Sequence, residues 1–175
     1  WKLYREEKID KASLRYGRLF DAFEAIKVKV ADDLIYQLSE DYITYLSSYN
    51  YLFDGTIELL KYLEPNYNLH IITNGFQEVQ HGKLEKSKIH RYFKTITNSE
   101  MVGVKKPNPL IFNHALELAK ATKQQSIMIG DNLEADIIGA LNCGISSIHF
   151  NLENLKFDKK KYTSVSHLLQ IKQYL

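Results

Sequence analysis

Cysteine is nearly absent from this 175-residue chain: Cys143 stands alone. That excludes an internal disulfide and any multi-cysteine metal site, and it fits a reducing compartment, so a cytoplasmic setting is expected. Proline is scarce too, and none of the three falls before Pro65, which leaves the N-terminal third open to uninterrupted helix. No apolar run approaches the ~20 residues of a membrane span, and no secretory signal pattern is visible, so no membrane partner is expected. An excess of one charge is also missing. The net charge of +2 is too small to point to nucleic acid. There are no internal repeats or low-complexity tracts. What remains is ordinary globular composition, 45% hydrophobic and 25% charged, in a length that suits one domain with a small addition. The chain starts at Trp1 inside a helical pattern, and a further N-terminal segment is expected to precede it in the natural protein.

The hydrophobic pattern divides the chain. Residues 1–51 carry apolar side chains at helical spacing, among them Leu14, Leu19, Phe23, Ile35, Leu38, Tyr42, Tyr45 and Tyr49, which predicts an all-helical unit with this stripe in its core. After Phe53-Asp54-Gly55 the period changes. Helices are expected over Thr56–Leu63, Phe76–Ser87, from Pro109 to about Ala121, over Glu134–Cys143 and over Val165–Tyr174. Strands are expected at Leu69–Ile72, Thr95–Thr97, Ser126–Ile129 and Ser147–Phe150, and a Lys-rich loop at 151–162. Strand–helix alternation of this kind predicts an α/β fold, a doubly wound parallel sheet over 52–175 with its ligand site at the carboxyl ends of the strands.

The residues delivered to those strand ends carry chemistry. Ile127-Met128-Ile129-Gly130-Asp131-Asn132-Leu133-Glu134-Ala135-Asp136 reads as a buried parallel strand that stops at a glycine and an acid. Asp131 and Asp136 offer hard oxygens with no histidine or thiol beside them, which suits Mg²⁺. Asp136 falls in the first helical turn and could bind directly, through water, or oppose the helix dipole. Thr73-Asn74-Gly75 supplies a hydroxyl and closely spaced N–H groups before a helix, an arrangement able to cradle a phosphate. Lys106, stiffened by Pro107, can set an ammonium against a transferring phosphoryl group. The six histidines share no motif and read as structural.

Taken together, Ile71-Ile72-Thr73-Asn74-Gly75-Phe76, Gly103-Val104-Lys105-Lys106-Pro107-Asn108-Pro109 and Gly130-Asp131-Asn132-Leu133-Glu134-Ala135-Asp136-Ile137 resemble the second, third and fourth motifs of the haloacid dehalogenase (HAD) superfamily. The Trp1 region, Tyr16-Gly17-Arg18 and the Asn74-Gly75-Phe76 wording look most like its pyrimidine 5′-nucleotidase branch for noncanonical nucleotides. The resemblance implies a Rossmann-like core at 52–175 and a helical cap at 1–51. It implies a phosphomonoester substrate, a nucleoside monophosphate by preference, and Mg²⁺ as cofactor. Thr73 and Lys106 would be catalytic. Thr73, Asn74, Gly75 and Lys106 would bind the phosphoryl group, with Asn74 and Gly75 acting through their backbone, and Asp131 and Asp136 would form the metal site. Trp1, Tyr4 and Tyr16 are candidates to stack on a base, with packing as their ordinary role.

The chain departs from that family in one respect. The first motif, Asp-x-Asp on the opening strand, supplies the nucleophile and the general acid/base, and it is absent from 1–175. Asp32-Asp33 and Asp54-Gly55-Thr56 do not match it. The motif and its central strand are therefore expected upstream of Trp1, and residues 1–175 alone are expected to be inactive and poorly stable. Two other readings stand beside the nucleotidase: a sugar-phosphate or phosphoglycolate phosphatase, and a non-catalytic phosphate- or Mg²⁺-binding or assembly module.

Overall fold

The proline-free opening stretch is helical in the computed structural model, which describes residues 1–153 and 162–175. Three helices, α1 (Lys2–Arg5), α2 (Lys11–Ala25) and α3 (Asp32–Leu46), form one unit, Trp1–Asn50, and the remainder forms a second, Tyr51–Leu175. Asp10 caps α2 by accepting from the Ser13 N–H at 2.7 Å, and Asp32 and Asp33 stand in the first turn of α3, both favourable at a helix N-terminus. Ser39 Oγ donates to the Ile35 and Arg15 carbonyls and Arg18 to the Tyr42 hydroxyl, tying α2 to α3. The apolar stripe expected in a core is buried only at Leu14 and Ile35, whereas Tyr45 and Tyr49 are exposed. Within this unit α2 and α3 have little but each other to pack against, and two helices cannot cover all sides of such a stripe.

The second unit alternates helices and parallel strands. In chain order come α4 (Thr56–Leu63), β1 (Leu69–Thr73), α5 (Gln77–Lys86), β2 (Phe93–Asn98), α6 (Ser99–Val102), α7 (Pro109–Ala119), β3 (Ile127–Gly130), a wide π-type turn (Leu133–Ile138), α8 (Gly139–Asn142), β4 (Ser146–Phe150), β5 (Thr163–Val165) and a closing 3₁₀ segment (Leu168–Tyr174). β1 pairs in parallel with β2, and β3–β4–β5 form a second parallel group. Among the described residues no strand pairs β1 with β3. Even so, the two groups share one layer between two apolar clusters. Leu69 of β1 and Ile129 of β3 pack with Leu59, Leu63, Phe150 and Ile171. Ile72 of β1 and Met128 of β3 pack with Ile111, Phe112 and Ala140. A sheet layer covered on both faces by helices is the arrangement the alternation predicts.

Four local expectations are corrected. β3 is not a fully buried strand: Ile127 is exposed and the rest half-buried, as β1 is throughout, because among the described residues each strand is paired along one edge only. The helix expected over Glu134–Cys143 is a π-type turn followed by one α turn, with the Asp136 side chain bonded back to the turn's start. The closing helix is 3₁₀ and begins only at Leu168, since Val165 is taken by parallel pairing with Phe150. α6 was not expected; Asn98 creates it by accepting from the Met101 N–H at 2.8 Å. The central part of the expected Lys-rich loop, 154–161, lies outside the described residues. No helix among the described residues is long and apolar enough to cross a membrane.

Candidate active site

The carboxyl ends of β1 and β3 carry the candidate residues. Thr73 closes β1, and its hydroxyl oxygen accepts from the Gly75 N–H at 2.9 Å. That turn leaves the Thr73 O–H proton to be given elsewhere. Gly75 thus has its N–H engaged by Thr73, and Asn74 has its side chain engaged by Lys106: Oδ1 accepts from the Lys106 N–H at 2.8 Å, and Nδ2 donates to the Lys106 carbonyl at 2.9 Å.

Lys106 lies in the irregular segment between α6 and α7, followed by a cis peptide to Pro107. It is buried, 7% exposed, which is unusual for a lysine. Its Nζ donates to the Ile72 carbonyl of β1 at 2.7 Å and meets Asp136 Oδ1 at 2.6 Å. One ammonium therefore ties the end of β1 to the turn that follows β3. An ammonium has three donors, so one N–H remains for a ligand.

Asp136 is buried at 5% exposure, with Oδ2 accepting from the Asn132 N–H at 3.0 Å. Asn132 in turn accepts from the Ala135 N–H at 2.8 Å. Gly130 makes this possible: a Cβ there would stand 2.5 Å from Cβ and Oδ2 of Asp136, so only glycine lets the carboxylate lie against the strand end. Both Asp136 oxygens hold protein donors, whereas the exposed Asp131 carboxylate has no protein partner among the described residues. The Asp131 carbonyl accepts from His149 Nε2 of β4 at 3.0 Å, which fixes the backbone under that carboxylate and assigns the proton to Nε2.

A hard cation fits this donor set in part. Asp131 offers a free carboxylate at a strand end, and Mg²⁺ keeps several waters and takes one or two carboxylates with substrate oxygens. An all-protein cage does not exist: among the described residues no three His, Cys, Asp or Glu side chains converge on one point. Of the expected metal pair, then, Asp131 is open and Asp136 is in an ion pair.

Sequence reasoning placed Thr73 and Asp131 at strand ends, Lys106 in the loop before α7 and Asp136 in the turn after β3, and the structure has them there. That reasoning missed the Asn74 side chain, Asn132, His149 and the Ile72 carbonyl. For Asn132 a signal existed, an N-cap residue placed before an acidic first turn. Each aromatic candidate of the helical unit packs against a neighbouring ring. Trp1 meets the buried Tyr4 edge-on at 5.9 Å and the Arg18 guanidinium at 5.8 Å. Tyr16 lies against Phe20 and Tyr36 and donates to Asp32 at 2.6 Å, which pushes its phenol up to about 12.

Comparison with known proteins bears on the family and the fold. Pyrimidine 5′-nucleotidase YjjG of Escherichia coli (strain K12) is 33% identical over 152 residues, covering 86% of this chain and 65% of that protein. The glyceraldehyde 3-phosphate phosphatase of Methanothermobacter thermautotrophicus is 37% identical over 98 residues, 56% of this chain and 43% of that protein. The chain thus spans less than two thirds of the length of these relatives. The magnesium-bound crystal structure of YfnB from Bacillus subtilis superposes with a TM-score of 0.88 at 24% identity, covering all of this chain and 76% of that one. Residues 4–150, which include Thr73, Lys106, Asp131 and Asp136, match the haloacid dehalogenase-like hydrolase family, and the chain belongs to it.

Proposed function

We propose that this chain is the larger part of a Mg²⁺-dependent phosphomonoester hydrolase, preferring nucleoside monophosphates and working through an aspartyl-phosphate. The observation that carries the reading is the buried Lys106 ammonium, held between the Ile72 carbonyl and Asp136 with one donor left. A fixed positive charge in a site of low dielectric stabilises the equatorial oxygens of a transferring phosphoryl group. The O–H of Thr73 donates to a second phosphoryl oxygen, and the backbone at Asn74 borders the same cradle, the Gly75 N–H being engaged by the Thr73 hydroxyl. Asp131 would hold the cation, while Asp136, paired with Lys106, holds the ammonium in place. When bound, Mg²⁺ would supply neutralisation of negative charge on the phosphoryl oxygens. The attacking carboxylate is none of the residues above; the resemblance assigns it to an Asp-x-Asp preceding them, and the 175 residues alone are proposed to be inactive. The helical residues 1–51 are proposed as the cap that selects the leaving group, and the enzyme is proposed to be cytoplasmic.

Nucleotides are favoured over sugar phosphates because the YjjG alignment is longer than the whole Tyr51–Leu175 unit and so includes helical-unit sequence, whereas the glyceraldehyde 3-phosphate phosphatase alignment is shorter than that unit. The test is a panel of phosphomonoesters offered to the complete natural protein. Higher kcat/KM for nucleoside monophosphates is expected. A preference for triose or sugar phosphates overturns the substrate assignment while leaving the chemistry intact.

A further inference from the structure

We propose that Asn74 is a positioning residue for Lys106, acting through the lysine's backbone; the inference rests on the phosphatase reading for its catalytic consequence, though not for its structural one. Lys106 belongs to no helix or strand, so nothing regular fixes its main chain. The Asn74 carboxamide does so with two hydrogen bonds, accepting from the Lys106 N–H at 2.8 Å and donating to the Lys106 carbonyl at 2.9 Å. Two bonds to the two sides of one residue set both the place of its Cα and the direction of its Cα–Cβ bond. A flexible four-carbon stem starting from that fixed point brings Nζ to the Ile72 carbonyl and to Asp136. Asn74 itself follows directly on β1, so the ammonium is referenced to the strand whose end carries Thr73.

The chemistry requires asparagine. The site needs one acceptor and one donor on one short planar group. Aspartate lacks the donor and would set a carboxylate oxygen against the Lys106 carbonyl. Alanine has neither, and glutamine adds a methylene that breaks the match. The carboxamide orientation is also fixed, since the flipped amide would set donor against donor and acceptor against acceptor.

The test uses the complete natural protein with Asn74→Ala, Asn74→Asp, Lys106→Ala and Asn74→Ala/Lys106→Ala. The first readout is independent of turnover: the Lys106 ammonium resonance in ¹⁵N-lysine-labelled protein, which hydrogen bonding to Ile72 and Asp136 protects from solvent exchange. It is expected in the parent protein and lost or broadened in Asn74→Ala at a temperature where the variant is folded. An unchanged resonance overturns the proposal. The second readout is hydrolysis of a nucleoside monophosphate. A small displacement of a catalytic group is worth up to ~10²-fold in rate, so Asn74→Ala is expected to lower kcat about 10- to 100-fold with a smaller change in KM. In the Lys106→Ala background, which keeps the backbone bonds but has no ammonium to misplace, the same change is expected to cost less than about 2-fold, because effects within one functional unit are not additive. An equal loss in both backgrounds overturns the proposal. Asn74→Asp, which keeps the acceptor, serves if Asn74→Ala does not fold, with the same signs expected. If the parent protein hydrolyses no phosphomonoester, the functional reading fails and the resonance still decides the role of Asn74.

Discussion

Replacing Asp136 by asparagine is predicted to destabilise the protein far more than a surface charge change would. The Lys106 and Asp136 side chains are 9% and 7% exposed and 2.6 Å apart, so the ~0–1 kcal/mol typical of solvent-exposed pairs does not apply. Asparagine has nearly the volume of aspartate and retains an oxygen for the Asn132 N–H. Neither a cavity nor loss of the turn contact accounts for the change; what remains is a buried ammonium without a counter-charge. Removing one member of a buried pair costs ~3–5 kcal/mol, a large share of the ~5–15 kcal/mol of a whole domain. At a urea slope of ~2 kcal/mol per molar, the midpoint falls by roughly 1.5–2.5 M. Lys106→Met is expected to cost a similar amount by stranding Asp136. The double variant Lys106→Met/Asp136→Leu leaves no charge to strand and is expected to regain most of the loss, since apolar replacement of a buried pair is neutral to ~4 kcal/mol stabilising. Urea denaturation followed by circular dichroism measures all three. A loss under about 1 kcal/mol in Asp136→Asn, or a double variant as unstable as the sum of the two single ones, would refute the buried-pair argument.

Other consequences follow from neighbouring features. Gly130→Ala places a methyl against Asp136 and is expected to cost about 1–3 kcal/mol, as overpacking does, with activity falling alongside; unchanged stability would mean that Asp136 does not lie on the strand end. His70 bonds Thr95 across β1 and β2 at 2.7 Å, and burial holds its imidazole below the usual range. The unfolded chain therefore binds the proton first: the His70 contribution is full above about pH 6.5 and declines as pH falls from there toward the lower folded value, a slope that His70→Gln should remove. Tyr16 is expected to ionise near 12 by ultraviolet titration, because its hydroxyl donates to Asp32, and Asp32→Asn should bring it back toward 10. Its contribution to stability is present below pH 10 and lost as pH rises through 12; a Tyr16 that titrates at 10 in the parent protein contradicts the bond.

The sequence was legible where chemistry is written in runs of adjacent residues. The Thr73 and Asp131 motifs sit at strand ends because an apolar run must stop where a polar turn begins, and periodicity reveals that; the Lys106 motif lies in the irregular segment before α7. Capping is equally local, as at Asn108 beside Pro109, whose side chain accepts from the Leu110 N–H. The long-range polar contacts were not legible. Asn74 and Lys106 are 32 positions apart, and no local pattern says that a carboxamide will meet a particular backbone. The ion pair was hidden for the same reason: Asp136 read as a metal ligand because its nearest sequence neighbour of that kind is Asp131, while its spatial neighbour is Lys106. The turn at Leu133–Ile138 departs from the α pattern because the Asp136 carboxylate bonds back to Asn132, a tertiary demand that helix propensity does not contain. β5 was missed because Thr163–Val165 is three residues long, too short to show a period, and exists through its pairing with β4.

Lys106 and Asp131 are proposed to serve one Mg²⁺-dependent phosphoryl transfer. Phosphate release from a nucleoside monophosphate by the complete natural protein, measured with Mg²⁺ and again with excess chelator, tests it directly when repeated on Lys106→Ala and Asp131→Asn. Turnover that the chelator abolishes and Mg²⁺ restores is expected. Each substitution should cut it by at least about 10²-fold, the scale expected for losing one charge-stabilising group. Turnover that survives the chelator, or that Asp131→Asn leaves within a few-fold of the parent, would contradict it.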